Sequence, residues 1–268
     1  MSDKRSRLNE IIDALGSTVV AFSGGVDSGL LAKIAADRLG ERALAVTAVS
    51  PSLPAAEREE VVAFVAAFGI RHEFIASEEA EDPRYQVNAP DRCYFCKSNV
   101  YQTLGNLAAA RGIATLVDGT NADDVGDHRP GRQAARERGV RSPLQEADLH
   151  KEEIRSYARD LQLPLWDKPA AACLASRIPY GSPVTADKLS QVEQAEAAIR
   201  ALGVRQLRVR HHGDTARVEV DPQQFDLLIS NRDAIVAELR RLGFVHVSLD
   251  LDGFRSGSMN AALGANGP

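Results

Sequence analysis

Apolar and polar positions along residues 18–169 follow two alternating patterns. Short runs of consecutive apolar residues predict buried strands, and longer segments with apolar residues three and four positions apart predict helices. The strands are expected at 18–22, 43–49, 72–75 and 115–118, and the helices at 30–36, 57–68, 98–110 and 154–161. Because single strands and helices alternate, we predict an α/β fold with a doubly wound parallel sheet. Such a sheet binds ligands at the C-terminal ends of its strands.

The pattern changes after Pro183. A predicted helix at 186–202 precedes two strands at 206–210 and 217–220, and a helix at 234–242 and a strand at 245–249 follow. This order predicts a small α+β domain at the C-terminal end. We therefore expect two domains, 1–180 and 181–268.

Composition and charge narrow the class of function. The 268 residues are 44% hydrophobic and carry a net charge of −5, whereas proteins that bind nucleic acid usually present a basic face. The N-terminus lacks an apolar signal segment, and the longest apolar run, 61–68, is too short to span a bilayer. We expect a cytoplasmic protein without membrane contact that acts on a small molecule.

Residues 23–28, Ser-Gly-Gly-Val-Asp-Ser, lie between the first predicted strand and helix. Backbone N–H groups and the positive end of the helix dipole converge at such a junction, and Gly24 and Gly25 let a phosphate approach the backbone. Ser23 and Ser28 complete the expected anion site. A carboxylate beside phosphates indicates bridging Mg²⁺, which makes Asp27 a candidate catalytic residue. The turn has no Walker lysine and resembles the PP-loop of ATP pyrophosphatases, which implies cleavage of ATP between its α- and β-phosphates.

A second polar segment, 118–124, follows the predicted strand at 115–118. Gly119, Thr120 and Asn121 are expected to contact the nucleotide, and Asp123 and Asp124 to bind Mg²⁺. The alternative is a turn followed by a helix cap. Further candidates in or near this segment are Asp127 as a metal ligand, and Arg129 and Arg132, which either contact phosphate or lie on a solvated loop.

The chain has three cysteines, Cys93, Cys96 and Cys173. An odd number argues against a disulfide framework, and no fourth cysteine completes a closed zinc site. Three thiolates can hold three irons of a 4Fe-4S cluster and leave the fourth iron open to another ligand. The alternatives are three unrelated buried thiols, or a redox pair formed by Cys93 and Cys96.

Five segments resemble the LarE family, and the resemblance covers nearly the whole chain. They are S-G-G-V-D-S at 23–28, R-C-Y-F-C-K at 92–97, D-G-T-N-A-D-D-V-G-D-H-R-P-G at 118–131, K-P-A-A-A-C-L-A-S-R-I-P-Y-G at 168–181 and L-D-L-D-G-F-R-S-G-S-M-N at 249–260. The family implies a PP-loop fold and an ATP-dependent sulfurtransferase in the biosynthesis of the nickel-pincer nucleotide, the cofactor of lactate racemase. The implied substrate is pyridinium-3,5-biscarboxylic acid mononucleotide, whose carboxylates are adenylated and converted to thiocarboxylates.

The resemblance also assigns a role to Cys173, which matches the sulfur-donating cysteine of the family. In members with one cysteine, that residue gives up its sulfur and becomes dehydroalanine. Members with three cysteines resemble reusable enzymes that bind a cluster. Because this chain has all three, we expect a 4Fe-4S cluster held by Cys93, Cys96 and Cys173.

Arginines after Cys173 supply candidate phosphate ligands. Ser176 and Arg177 could bind the phosphate of AMP or of the substrate. Arg208 and Arg210 share one face of a predicted strand, as a phosphate clamp requires, although a solvated strand face has the same pattern. Glu219 is expected either to bind a metal or to pair with an arginine.

Two rival functions share parts of this pattern. A PP-loop tRNA thiolase also combines an adenylating site with three cluster cysteines, but it needs a basic surface, and the net charge here is −5. An amidotransferase-type synthetase such as NAD synthetase has no use for the cysteines. We therefore expect ATP, Mg²⁺ and a small-molecule nucleotide as ligands, and a homo-oligomer that does not bind nucleic acid. The sequence does not identify the sulfur donor.

Overall fold

The computed structural model describes residues 2–124, 130–169 and 172–255. The chain divides into two compact units. The N-terminal unit comprises Met1–Asp82 and Asp91–Ala171, and the C-terminal unit comprises Pro83–Pro90 and Ala172–Pro268. The domain boundary at residue 180 stays a prediction.

The described helices alternate with strands through the first unit and surround a small sheet in the second. In chain order they are α1 (Ser2–Ala14), α2 (Val26–Leu39), α3 (Ala55–Ala67), α4 (Pro83–Gln86), α5 (Arg92–Ala110), α6 (Pro130–Glu137), α7 (Pro143–Glu146), α8 (Lys151–Asp160), α9 (Ala186–Arg200), α10 (Phe225–Ser230) and α11 (Arg232–Arg241). None of the helices in the described ranges combines the length and apolar character needed to cross a bilayer.

The N-terminal unit is built on a parallel four-stranded sheet. Its strands are β1 (Thr18–Ala21), β2 (Ala43–Val49), β3 (His72–Ala76) and β4 (Thr115–Val117), in the order β3-β2-β1-β4. The order places β1 at the centre, so its C-terminal end opens between β2 and β4. This arrangement confirms the predicted α/β fold.

Both faces of this sheet are covered, because successive side chains of a strand point to opposite faces. Val20 and Ala45 pack with the apolar sides of α1, α2 and α8. Val19 and Leu44 pack with α5 and α6 on the other face. Helices on both faces leave the two ends of the sheet as the places where a ligand can approach.

The C-terminal unit contains the predicted smaller α+β arrangement. Strands β5 (Leu207–His212) and β6 (Thr215–Val220) are antiparallel, and β7 (His246–Leu249) pairs in parallel with β6. Gly213 has φ +65° in the β5–β6 turn, as a tight hairpin requires. The segment 83–90 belongs here because the Asn88 side chain donates to the carbonyls of Ile178, Pro179 and Ser182.

The structure corrects three local expectations. The helix expected from residue 98 begins at Arg92, which places Cys93 and Cys96 in its first turn. Helix α1 was not predicted, although Leu8 and Ile12 recur at helical spacing and are fully buried. Arg132 lies on α6 rather than on a loop. The homo-oligomer and the cytoplasmic location stay predictions.

Candidate functional site

The turn 23–25 connects the central strand β1 to α2. Gly24 has φ +77°, and a Cβ at this position would lie 3.0 Å from Cγ2 of Val61. The Ser23 N–H donates to the Ser28 hydroxyl (3.2 Å), and the two serine hydroxyls are 3.1 Å apart. The turn is therefore tight, and it needs a glycine at position 24. Gly25 offers no side-chain cap to α2, which leaves the positive end of the helix dipole directed at the turn.

Asp27, in the first turn of α2, has one hydrogen-bonded carboxylate oxygen and one without a hydrogen-bond partner among the described residues. Its Oδ2 accepts a hydrogen bond from Lys151 Nζ (2.6 Å). Its Oδ1 is buried and has no hydrogen-bond partner among the described residues. Burial raises the pKa of Asp27, against the lowering by Lys151, and the nearby Asp124 carboxylate raises it further. A buried oxygen without a donor is where a bound cation would complete the site.

The segment 118–121 packs against this turn. A Cβ on Gly119 would lie only 2.8 Å from the backbone nitrogen of Ser28, so glycine permits the close approach. The Asp118 side chain holds the segment in place, since it accepts hydrogen bonds from the hydroxyls of Tyr101 (2.9 Å) and Ser142 (2.8 Å) and from the Thr120 N–H (3.1 Å). The segment that follows β4 therefore faces the turn 23–28 through Gly119.

Asp123 and Asp124 differ in their surroundings. Asp123 accepts hydrogen bonds from the Lys151 N–H (2.7 Å) and lies 2.6 Å from Nδ1 of His150. These two contacts lower its pKa and tie it to the start of α8. Asp124 accepts from the Asn121 N–H (3.0 Å) and acts electrostatically on Asp27. Their roles in Mg²⁺ binding stay predictions. Asp127 and Arg129 lie outside the described residues.

Two lysines at the turn were not singled out from the sequence. Lys151 pairs with Asp27, as described. Lys168 Nζ donates to the Gly24 carbonyl (3.0 Å) and pairs with Glu57 and Glu60 of α3. The only sequence signal for Lys168 was its place in the segment 168–181 that resembles LarE. Both ammonium groups thus lie beside a turn suited to phosphate, and each is already paired with a carboxylate.

These residues fit a nucleotide phosphate, and Asp27 would supply one ligand to a Mg²⁺ bound with it, although the described residues contain no group of three or more His, Cys, Asp or Glu able to hold a metal. The open oxygen of Asp27 supplies a hard ligand of the kind that Mg²⁺ prefers. The glycines at 24 and 119 leave space at the backbone that any Cβ would fill. The nucleotide contacts of Thr120 and Asn121 stay predictions.

The cysteines lie in both units and form no disulfide in the described ranges. Cys93 and Cys96 are partly exposed, and their spacing of three residues puts them on one face of α5. Cys173 is exposed and comes directly before the 3₁₀ turn Leu174–Arg177. Thiolates suit an iron–sulfur cluster, but no group of three or more His, Cys, Asp or Glu able to hold a metal occurs within residues 2–124, 130–169 and 172–255. The cluster stays a prediction.

Two of the candidate arginines of the C-terminal unit, Arg177 and Arg210, pair with buried glutamates. Arg177 forms a two-pronged pair with Glu196, and Arg210 pairs with Glu219 (2.8 Å). Arg208 is buried, which lowers its pKa to about 10, and its guanidinium lies 5.1 Å from the ring centroid of Phe254. Glu219 thus pairs with arginine, one of the two roles expected for it. The phosphate contacts of Ser176, Arg177, Arg208 and Arg210 stay predictions.

Comparison with known proteins places this geometry in a family. No protein-family model matches the chain. A protein of Synechocystis described as uncharacterised is 44% identical over 265 residues, which cover 98% of this chain and 99% of that protein. A glutamine-hydrolysing GMP synthase of Aeropyrum pernix is 31% identical over 215 residues, or 71% of this chain and 40% of that enzyme. This likeness, with the parallel sheet, confirms the PP-loop type of fold.

The match that carries the family is the pyridinium-3,5-bisthiocarboxylic acid mononucleotide synthase of Lactiplantibacillus plantarum. It is 38% identical over 265 residues, which cover 98% of this chain and 96% of the synthase. The identity therefore extends through both units, and this chain belongs to the LarE family.

Proposed function

We propose that this chain is an ATP-dependent sulfurtransferase that converts carboxylates of a pyridinium mononucleotide into thiocarboxylates. The family membership supports the substrate class, because the L. plantarum relative is named for the thiocarboxylate product. The observation that carries the proposal is the turn 23–28 with Gly119 packed against Ser28. That turn is suited to pyrophosphate, and it contains Asp27, one of whose carboxylate oxygens has no hydrogen-bond partner among the described residues.

The chemistry requires activation of a poor acyl donor. A carboxylate loses oxide only with difficulty, whereas an acyl adenylate loses AMP readily. The backbone N–H groups at the start of α2 and the charges of Lys151 and Lys168 would stabilise the charge that grows on the leaving pyrophosphate. When bound, Mg²⁺ would screen the phosphates from one another, and Asp27 is the residue that we propose to hold it.

The first test is the identity of the nucleotide products. With ATP, Mg²⁺ and the pyridinium dicarboxylate mononucleotide, we expect AMP and pyrophosphate, measured by chromatography and a coupled phosphate assay. Formation of ADP and phosphate would contradict the proposal. Gly119→Ala should abolish pyrophosphate release because the added Cβ would lie 2.8 Å from Ser28 N. The matched control is Gly105→Ala, because outside the adjacent backbone of α5 no described atom lies within 4 Å of the added Cβ, and we expect normal release.

For the sulfur-transfer half, we propose that Cys93, Cys96 and Cys173 hold a 4Fe-4S cluster. Such a cluster with three protein ligands would supply an open iron site for sulfide. The partly exposed pair on α5 and the exposed Cys173 are accessible to such a group. Sacrifice of the Cys173 sulfur is the alternative, but it would leave no role for Cys93 and Cys96.

Two measurements separate these routes. Anaerobic reconstitution with iron and sulfide should give full iron content in the wild-type protein and a clear loss in Cys93→Ala. Equal iron content in both proteins would refute the cluster. Intact-protein mass after reaction with ATP, substrate and sulfide should be unchanged over repeated turnover. Dehydroalanine at position 173, formed in proportion to product, would instead establish sacrifice and leave the adenylation proposal standing.

A further inference from the structure

The backbone that carries Cys173 leads into a short 3₁₀ turn. In the 3₁₀ turn Leu174–Arg177, the Ser176 N–H donates to the Cys173 carbonyl (3.0 Å), and the Ile178 N–H donates to the Ala175 carbonyl (3.2 Å). An isolated 3₁₀ turn has poor hydrogen-bond geometry and little stability. The Cys173 side chain is exposed. Other contacts must therefore define where this cysteine points.

Arg177 provides those contacts from beneath the turn. Its side chain is only 2% exposed. Its Nη1 donates to the carbonyl of Ala172, to the carbonyl of Cys173 (3.0 Å) and to the Ser176 hydroxyl (3.1 Å). The two carbonyls belong to the peptide groups on either side of the Cys173 Cα. One guanidinium therefore holds both peptide planes that orient the thiol.

Glu196 fixes the plane of that guanidinium. Its two oxygens accept from Arg177 Nε (2.8 Å) and Nη2 (2.9 Å), the two-pronged geometry in which arginine and a carboxylate lock each other's orientation. Glu196 is fully buried and also accepts from the Val209 N–H (3.1 Å) of β5. The hydrogen bonds thus run from the core strand β5 through Glu196 and Arg177 to the turn. A second guanidinium, that of Arg210, donates to the Ser176 carbonyl (2.8 Å).

We propose that the Arg177–Glu196 pair is the device that positions Cys173 for sulfur transfer, with Arg177 a positioning residue rather than a phosphate ligand. The inference rests on the proposed function only in taking Cys173 as a sulfur-transfer residue. A reacting group on a loop needs its backbone held by residues whose own orientation is locked by packing and hydrogen bonds. The pair meets that condition, since its charged atoms are out of water and reach the turn directly.

Amide hydrogen exchange tests the structural half without any enzymatic assay. In Arg177→Met, the amides of 173–178 should exchange at least about tenfold faster than any loss of protection shared by β5 and β6 explains, with those strands as the reference for global destabilisation. The matched control is Arg200→Met, because Arg200 pairs with the same Glu196 (2.8 Å) from the outer end of α9 and does not touch the turn. We expect wild-type exchange at 173–178 in that control. Unchanged exchange of the turn in Arg177→Met would overturn the proposal.

Loss of folding in Arg177→Met is handled by a second variant. Arg177→Met with Glu196→Gln removes both buried charges and keeps an acceptor for the Val209 N–H. Thermal unfolding and exchange of β5 and β6 then report whether the unit is folded. In the folded variant the turn should still exchange faster. Full protection of the turn there would show that the pair serves stability alone and would overturn the proposal.

The functional part of the proposal is tested by comparing two activities of the same Arg177→Met protein, pyrophosphate release and thiocarboxylate formation. In a single turnover with enzyme in excess over substrate, the rate of pyrophosphate release depends on the turn 23–28 and should stay within about twofold of wild type, whereas the rate of thiocarboxylate formation should fall by about 100-fold. Arg177→Lys should not restore it, because an ammonium cannot reproduce the two-pronged pair. A parallel fall of both activities would contradict positioning. Absence of thiocarboxylate with the wild-type protein would refute the proposed function, and the exchange experiment would still decide the role of Arg177 in the turn.

Discussion

Asp27 and Glu196 are two carboxylates, one in each unit, whose surroundings are opposite: Glu196 is fully buried, whereas Asp27 is partly buried. Glu196 accepts from Arg177, Arg200 and the Val209 N–H. Asp27 accepts from Lys151 alone, and its second oxygen is buried without a partner in the described part of the chain. Burial raises the pKa of both groups. At Glu196 the arginine contacts outweigh burial and the pKa falls, whereas at Asp27 burial prevails and the pKa rises.

This difference indicates that the Glu196 carboxylate stabilises the structure, whereas the Asp27 carboxylate can bind a ligand. A buried carboxylate whose oxygens all accept hydrogen bonds within the protein has no oxygen available to a ligand, and it fixes the orientation of the groups around it. A carboxylate kept partly desolvated with an open oxygen costs stability, and such groups concentrate at functional sites. We therefore expect changes at Glu196 to act on folding and, through Arg177, on the turn that carries Cys173, whereas changes at Asp27 should act on the chemistry directly.

The largest expected effect is on stability, in Glu196→Ala. Removal of this carboxylate leaves the buried Arg177 guanidinium without its counter-charge, and breaking a buried pair in this way costs about 3–5 kcal/mol. Urea unfolding should show that loss in the C-terminal unit. The surface control Glu238→Ala, which removes an exposed partner of Arg241, should leave the free energy of unfolding unchanged. Equal free energies of unfolding for Glu196→Ala and wild type would contradict the structural role that distinguishes Glu196 from Asp27.

The second effect is on catalysis, in Asp27→Asn. The amide keeps the shape and an oxygen for Lys151 but loses the charge, so pyrophosphate release should fall by about 100-fold or more. The free energy of unfolding should not fall, since a neutral side chain is easier to bury. Asp37→Asn on the same helix is the matched control, because Asp37 pairs only with Lys33 at the surface in the described structure. Normal release by Asp27→Asn would show that the open oxygen has no part in the reaction.

The sequence predicts the local parts of this comparison and misses the long-range ones. The strand at 43–49 is predicted with its correct bounds because a run of consecutive apolar residues is enough to identify a buried strand. The turn 23–28 is predicted because all of its defining residues are consecutive in the sequence. The Lys151–Asp27 contact joins residues 124 positions apart, for which no local pattern exists. Glu196 lies in an alanine-rich helix, where a glutamate is typical of a solvent-facing position. Only the fold reveals that α9 buries it against Arg177.

The smallest of the three effects is the opposite pH dependence of the two groups. The pKa of Asp27 is raised above 3.8 by folding, so the folded protein keeps a proton that the unfolded chain has released. Its contribution to stability is complete below pH 3.8 and is lost as the pH rises through the folded pKa. The pKa of Glu196 is lowered below 4.5, so its contribution is present above pH 4.5 and is lost as the pH falls through the folded pKa.

Urea titrations of wild type, Asp27→Asn and Glu196→Gln across the acid range measure both slopes. The stability of wild type relative to Asp27→Asn should fall as the pH rises above 3.8. The stability of wild type relative to Glu196→Gln should rise with pH up to 4.5 and then level off. The contributions of all other titrating groups cancel when the free energy of unfolding of a variant is subtracted from that of wild type. The opposite signs of the two pH slopes therefore report on Asp27 and Glu196 alone. Slopes of the same sign would mean that Asp27, like Glu196, is held by its partners, and the open oxygen would then mark no ligand site.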